Sequence, residues 1–182
     1  MSSAFVARHL DVQAFARAAA VLTGRDLLSS YERLLDEAGG QGADRPLTWE
    51  ARGELRTDAG GQDQIWLHLR AGASLPLTCQ RCLEPVDIGL TVDQSFRFVA
   101  TEAQAAAEDE EAEEDVLALS SEFDLQALIE DELLMALPVV PRHASCPTEV
   151  RLAAQDPDFE AAGDGKPNPF AVLAGLKGGK PG

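Results

Sequence analysis

The chain has 182 residues, 45% of them hydrophobic, and 31 acidic against 15 basic side chains give a formal net charge of −16. That length suits one domain with appendages and is enough to bury a single core. A surface so acidic is repelled by phosphate backbones, which argues against broad electrostatic binding to nucleic acid and favours basic proteins as partners.

In chain order, Asp11 can cap a helix running to about Leu22, with Val12, Phe15, Ala16 and Ala19 along one side and Gly24 as its stop. Asp26 opens a second helical pattern, in which Leu27, Leu28, Tyr31, Leu34, Leu35 and Ala38 form an apolar stripe ended by Gly39, Gly40 and Gly42. Residues 1–46 thus read as an N-terminal helical segment.

From Leu47 the period changes to alternation, the mark of a strand. Leu47, Trp49, Ala51, Gly53 and Leu55 share one side, and a turn at residues 58–61 leads to a strand with Ile65, Leu67, Leu69 and Ala71 on one face. Trp66, His68 and Arg70 occupy the other face, so His68 reads as a surface histidine, and neither it nor His9 is given a chemical role. A short strand at 75–78 enters the Cys79–Cys82 turn. After Pro85, Val86, Ile88, Leu90, Val92, Phe96 and Phe98 hold one parity while Asp87, Thr91, Asp93, Ser95 and Arg97 hold the other. This is the pattern of a long antiparallel strand with one wet face, which makes the Cys79–Cys82 turn the tip of a hairpin.

Residues 102–115 carry eight acidic side chains and no basic one, the composition of a solvated, mobile loop. A helix follows, capped by Asp124 and stopped by Pro138, with Leu125, Leu128, Ile129, Leu133, Ala136 and Leu137 on its inner side. Glu130, Asp131 and Glu132 are expected on its outer side. Residues 152–165 read as a linker, and Asn168, Pro169 and the apolar edge of Phe170 and Leu173 begin a short tail helix ending near Lys177.

The chemistry-bearing residues sit in two pairs. Cys79 and Cys82 form a C-x2-C knuckle, and His143 and Cys146 repeat the spacing as H-x2-C across a gap of 60 residues. Two soft-ligand pairs of this kind match a tetrahedral zinc site, and four protein ligands leave no open position, so such a zinc would be structural. Two other readings stand beside it: buried unligated thiols in a reducing compartment, and redox chemistry at the C-x2-C, which lacks the βαβ surroundings of a thioredoxin-like motif. The odd number of cysteines argues against a disulfide framework.

Three blocks, CQRCLEPV (79–86), DELLMALPVVPRHASC (131–146) and NPFAVLAGLK (168–177), resemble the YceD-type large ribosomal RNA subunit accumulation proteins. Their order and spacing extend the likeness over about residues 47–177, whereas the N-terminal helices match loosely and the Ala/Glu block is local to this chain. The resemblance implies a bacterial protein needed for normal amounts of 23S rRNA, through its synthesis, processing or stability. It supplies no catalytic residues, and the zinc is inferred from the ligand pattern alone.

The resulting expectation is an α+β fold: an antiparallel sheet covered by the 124–137 helix, N-terminal helices, a mobile acidic loop and a short tail helix. A core domain would span 47–150, with linker and tail at 151–182. The expected function is a non-catalytic ribosome-biogenesis factor binding a basic ribosomal or rRNA-processing protein. Direct rRNA binding by a zinc protein is the alternative, needing a basic patch built from residues such as Arg70, Arg81, Arg97 and Arg142; a C-x2-C redox enzyme is the more distant one. The early apolar run 18–22 is too short for a secretory signal and no stretch is long enough for a membrane helix, so a cytoplasmic protein without a membrane partner is expected.

Overall fold

The computed structural model describes residues 5–58 and 60–148. The expected linker and tail helix lie outside the described residues. The chain divides into a unit Met1–Thr148 and a second unit Glu149–Gly182. All described elements belong to the first.

The fold is α+β. Its strands are β1 (Val21–Leu27), β2 (Pro46–Thr57), β3 (Asp63–Thr78), β4 (Pro85–Val99) and β5 (Asp115–Ala118), and its α-helices are α1 (Val12–Arg17), α2 (Glu32–Glu37), α3 (Glu102–Asp109) and α4 (Leu125–Met135). The strands form one five-stranded sheet in sequence order. β1 to β4 pair antiparallel, but β5 runs parallel to β4, so the sheet is mixed and not purely antiparallel.

The alternation read in β3 and β4 is realised. Ile65, Leu67, Leu69 and Ala71 of β3 and Leu90, Val92, Phe96 and Phe98 of β4 are buried in one core with Val12 and Phe15 of α1, Leu34 of α2, and Leu125, Ile129 and Leu133 of α4. The short strand expected at 75–78 is the end of one continuous β3. Asp124 caps α4 by accepting from the Ala127 amide at 3.0 Å, and Asp11 caps α1 through the Ala14 amide at 2.9 Å.

The N-terminal third departs from the helical reading. α1 stops at Arg17, the backbone turns through a left-handed Ala19 (φ 46°), and residues 21–27 pair with β2. Ladder hydrogen bonds to an otherwise bare edge of β2 win over the local helical pattern. Gly24, expected to stop a helix, is mid-strand, where an added Cβ would lie 2.3 Å from the Trp49 ring. Asp26 caps nothing; it accepts from the Tyr31 hydroxyl at 2.8 Å and the Trp49 indole N–H at 2.7 Å.

A second close approach explains Gly53. A Cβ there would stand 2.8 Å from the Ala16 backbone, so α1 rests directly on β2. Gly53→Val is therefore expected to destabilise the fold by about 1–3 kcal/mol through overpacking, read as a lower urea midpoint.

The acidic block is not a single loop. Residues 102–109 form α3, with Thr101 as its cap, and residues 115–118 form β5. The alanines favour helix, and Arg97 on β4 holds Glu108 and Glu114 at 2.6 Å each. A small cluster of Val99, Ala105 and Val116 seats α3. Val99 and Arg97 share strand parity opposite to Phe96 and Phe98, so α3 packs on the face away from the main core. Glu132, expected outside α4, is only 6% exposed.

Candidate metal centre

The β3–β4 hairpin places the first pair. Cys79 follows the last residue of β3, its amide donates to the Glu84 carbonyl at 2.9 Å, and the Leu83 amide donates back to the Cys79 carbonyl at 2.8 Å. This tight turn aims both thiols inward. It also forces Leu83 to φ 63°, a left-handed conformation that costs a non-glycine residue about 1–2 kcal/mol. Leu83 is 75% exposed and has little packing to lose. Leu83→Gly should thus raise the thermal midpoint slightly, after the added freedom of glycine in the unfolded chain offsets part of the relieved strain.

The second pair arrives from α4. Pro138 follows the helix, and the Pro141 carbonyl accepts from the Gln80 amide at 2.9 Å, laying the chain along the knuckle. The ligand atoms of Cys79, Cys82, His143 and Cys146 then all lie within 4.8 Å of one another. Cys79 Sγ is 3.9 Å from Cys146 Sγ, and Cys82 Sγ is 3.4 Å from His143 Nδ1. Bond lengths usual for zinc imply tetrahedral edges of about 3.8 Å between sulfurs and about 3.6 Å between sulfur and nitrogen. The four residues thus fit one ion, and the expected convergence is realised.

The surroundings prepare these atoms. His143 Nε2 lies 2.9 Å from the Pro85 carbonyl, which can only accept, so Nε2 carries the proton and Nδ1 offers its lone pair toward the thiols. Arg81 donates from Nε to Cys146 Sγ at 2.9 Å and from its other end to the His143 carbonyl at 3.0 Å. Burial works to raise the Cys79 thiol, but the amides of Cys82, His143 and Arg81 outweigh it and bring it down to about 5. Burial pushes the Cys82 thiol up; the Glu84 amide opposes this, and the thiols of Cys146 and Cys79 add to it. Three sulfurs this close resist carrying several negative charges together, and a divalent cation is the group that would allow it. All three cysteines are free.

Neither remaining histidine joins the cluster. His9 lies in a 3-10 turn at Ala7–His9. His68, on the open face of the sheet, bridges Ser95 Oγ (2.8 Å to Nδ1) and Glu54 (2.6 Å to Nε2), and it stacks beside Trp66, over which Arg56 lies at 4.4 Å. The contact was hidden in sequence because cross-strand register, not spacing, brings the three together. Ser95 and His68 pair directly across the β3–β4 ladder.

Fold and site together define an α+β domain whose central hairpin is tied at its tip by a Cys3His cluster able to hold a metal ion. The family model described as Large ribosomal RNA subunit accumulation protein YceD matches residues 67–177, and the chain belongs to that family. A relative from Haemophilus influenzae, named Large ribosomal RNA subunit accumulation protein YceD, is 42% identical over 104 residues, 56% of this chain and 59% of the relative. The match thus spans about three fifths of that relative's length. No solved structure matches. The family likeness drawn from the three sequence blocks is borne out.

Proposed function

We propose that this chain is a non-catalytic factor for the accumulation of large-subunit ribosomal RNA, acting on the synthesis, processing or stability of 23S rRNA through a basic protein partner. Membership of a family named for that role carries the reading. In it, Cys79, Cys82, His143 and Cys146 hold a structural zinc that supplies positive charge to the thiolates and ties the chain after α4 to the hairpin tip.

Charge supports a protein partner over RNA. The net charge is −16, and of the arginines that could build a basic patch, Arg70 pairs with Asp93, Arg97 with Glu108 and Glu114, and Arg81 with Cys146. The non-catalytic part rests on the four-ligand cluster, which leaves no position for substrate. A cytoplasmic location follows from the proposed role; no described helix is long and apolar enough to cross a membrane.

The test is capture of the full chain from growing cells with and without nuclease, read by mass spectrometry and RNA sequencing. A basic ribosomal or processing protein should be retained after nuclease, with rRNA lost. Tight binding of the purified chain to naked 23S fragments at physiological salt would overturn the protein-partner mechanism.

A further inference from the structure

The sheet has one long edge that no described element covers. β3 pairs with β4 without interruption from Ile65↔Phe98 to Thr78↔Pro85. On its other side β4 meets β5 only at residues 96–99. Successive residues of a strand turn their backbone groups to opposite sides, so the outward set can be identified. The Val99 carbonyl faces β5, where it accepts from the Leu119 amide at 2.8 Å. At the far end, the Pro85 carbonyl accepts from His143 at 2.9 Å. Both belong to one alternate set, so Asp87, Gly89, Thr91 and Asp93 between them also present their amides and carbonyls outward. Among the described residues, no hydrogen bond reaches these backbone groups.

A groove runs beside this edge. Thr91, Val92, Asp93 and Gln94 enclose it with Glu132 and Met135 of α4 and its C-cap Ala136, in a cavity of about 350 Å³. Glu132 is 6% exposed yet has no hydrogen-bond or ion-pair partner among the described residues, while Met135 is 69% exposed. No side-chain oxygen among the described residues is both buried and unpartnered, so the Glu132 carboxylate is held in the groove with its remaining exposure there and not sealed in the core. Burial raises its pKa, and the charges of Asp115 and Asp131 raise it further, so the local field lacks a positive group.

We propose that the β4 edge is a docking site for an extended basic segment of a partner protein, which adds as a strand along Asp87–Asp93 and sets a lysine or arginine against Glu132. The proposal rests on the basic-partner reading above and names the surface and the conformation that partner uses. Alternating amides and carbonyls complement another peptide backbone, as in strand addition to other open sheet edges; a phosphate chain offers no matching donors. Glu132 selects a cation at one side-chain position, and Met135 offers apolar contact beside it. The opposite edge, β1, lacks these features: its exposed flank carries Val21, Arg25 and Leu27 and no buried acid. Asp87 and Asp93 also guard the free edge against self-association, since charged side chains are a usual protection there. They are held on the open face by Arg45 and Arg70 and leave the backbone edge accessible.

The probe is an end-capped octapeptide alternating valine and lysine, added to the full chain. Binding should weaken with salt, and amide exchange at Gly89, Thr91 and Asp93 should slow. The same peptide N-methylated on alternate residues keeps its charge but cannot complete a ladder on the methylated side. Of the two methylation registers, one should bind at least about ten-fold more weakly than the parent peptide, the loss of about 1.4 kcal/mol. Glu132→Gln, nearly isosteric, should weaken the parent peptide about five-fold and leave the melting temperature unchanged or raised. If both methylated peptides bind like the parent, or the slowed amides lie on β1 or α3, the edge proposal is overturned while the basic-partner reading stands. If no lysine peptide binds, the edge proposal is likewise overturned, and capture after nuclease decides the partner reading separately.

Discussion

Cys82→Ser is expected to abolish zinc binding and to lower the melting temperature by about 8–16 °C. With free metal a thousandfold above its dissociation constant, loss of the ion removes about 4 kcal/mol. For a domain of about 150–250 residues, each kcal/mol moves the midpoint by about 2–4 °C. The change should be local before it is global. The main core, from Leu10 and Phe15 to Phe96 and Leu133, contains none of the four ligands, so far-ultraviolet dichroism should keep its sheet signature below the transition. What loosens is the chain after α4, held at the knuckle by the Gln80–Pro141, His143–Pro85 and Arg81–His143 hydrogen bonds. Exchange at the Gln80 amide should therefore accelerate first. Metal analysis of the unaltered chain should give about one zinc per chain. An unaltered chain that carries no metal and whose melting temperature is unchanged by added zinc would establish unligated thiols instead.

Neutralising Glu102, Glu110, Glu111 and Glu113 to glutamine is expected to slow capture of the basic partner about ten-fold at low salt, with little change in dissociation. The choice of residues follows from the structure. Glu108 and Glu114 hold Arg97, and Asp109 accepts from the Val116 amide at 2.9 Å, so altering those would damage α3 and β5 instead of testing steering. The four chosen residues are exposed, and only Glu102, in the first turn of α3, adds a small favourable charge at a helix start. Their effect should fade as ionic strength rises, because screening shortens the reach of surface charge to about 8 Å at physiological salt. Stopped-flow association with the captured partner reads both rate and salt dependence. An unchanged association rate would show the block to be a solvating surface only. Glu108→Gln with Glu114→Gln is the contrasting pair: it should lower stability through Arg97, which is 13% exposed and would lose both partners.

The misreadings share a cause. Residues 21–27 read as the end of one helix, a glycine stop and the start of a second, and nothing local reveals that β2 offers them a bare edge. The acidic block lacks a visible counter-charge because Arg97 lies before it, on the wet face of a strand. Glu132 sits in a charged run that reads as solvated, and the rotation of α4 against β4 turned it inward. In each case a partner distant in sequence overrode local composition.

What the sequence determined by itself were the features whose physics is local or strictly periodic. Period-two alternation set the faces of β3 and β4, Asp11 and Asp124 set two helix starts, and matched x2 spacings set the four candidate ligands. Only the tertiary structure decided the first strand, the parallel β5, the buried Glu132 and the free β4 edge. Those depend on which elements meet, and the free energy of meeting comes from surfaces buried and hydrogen bonds completed between segments far apart in the chain.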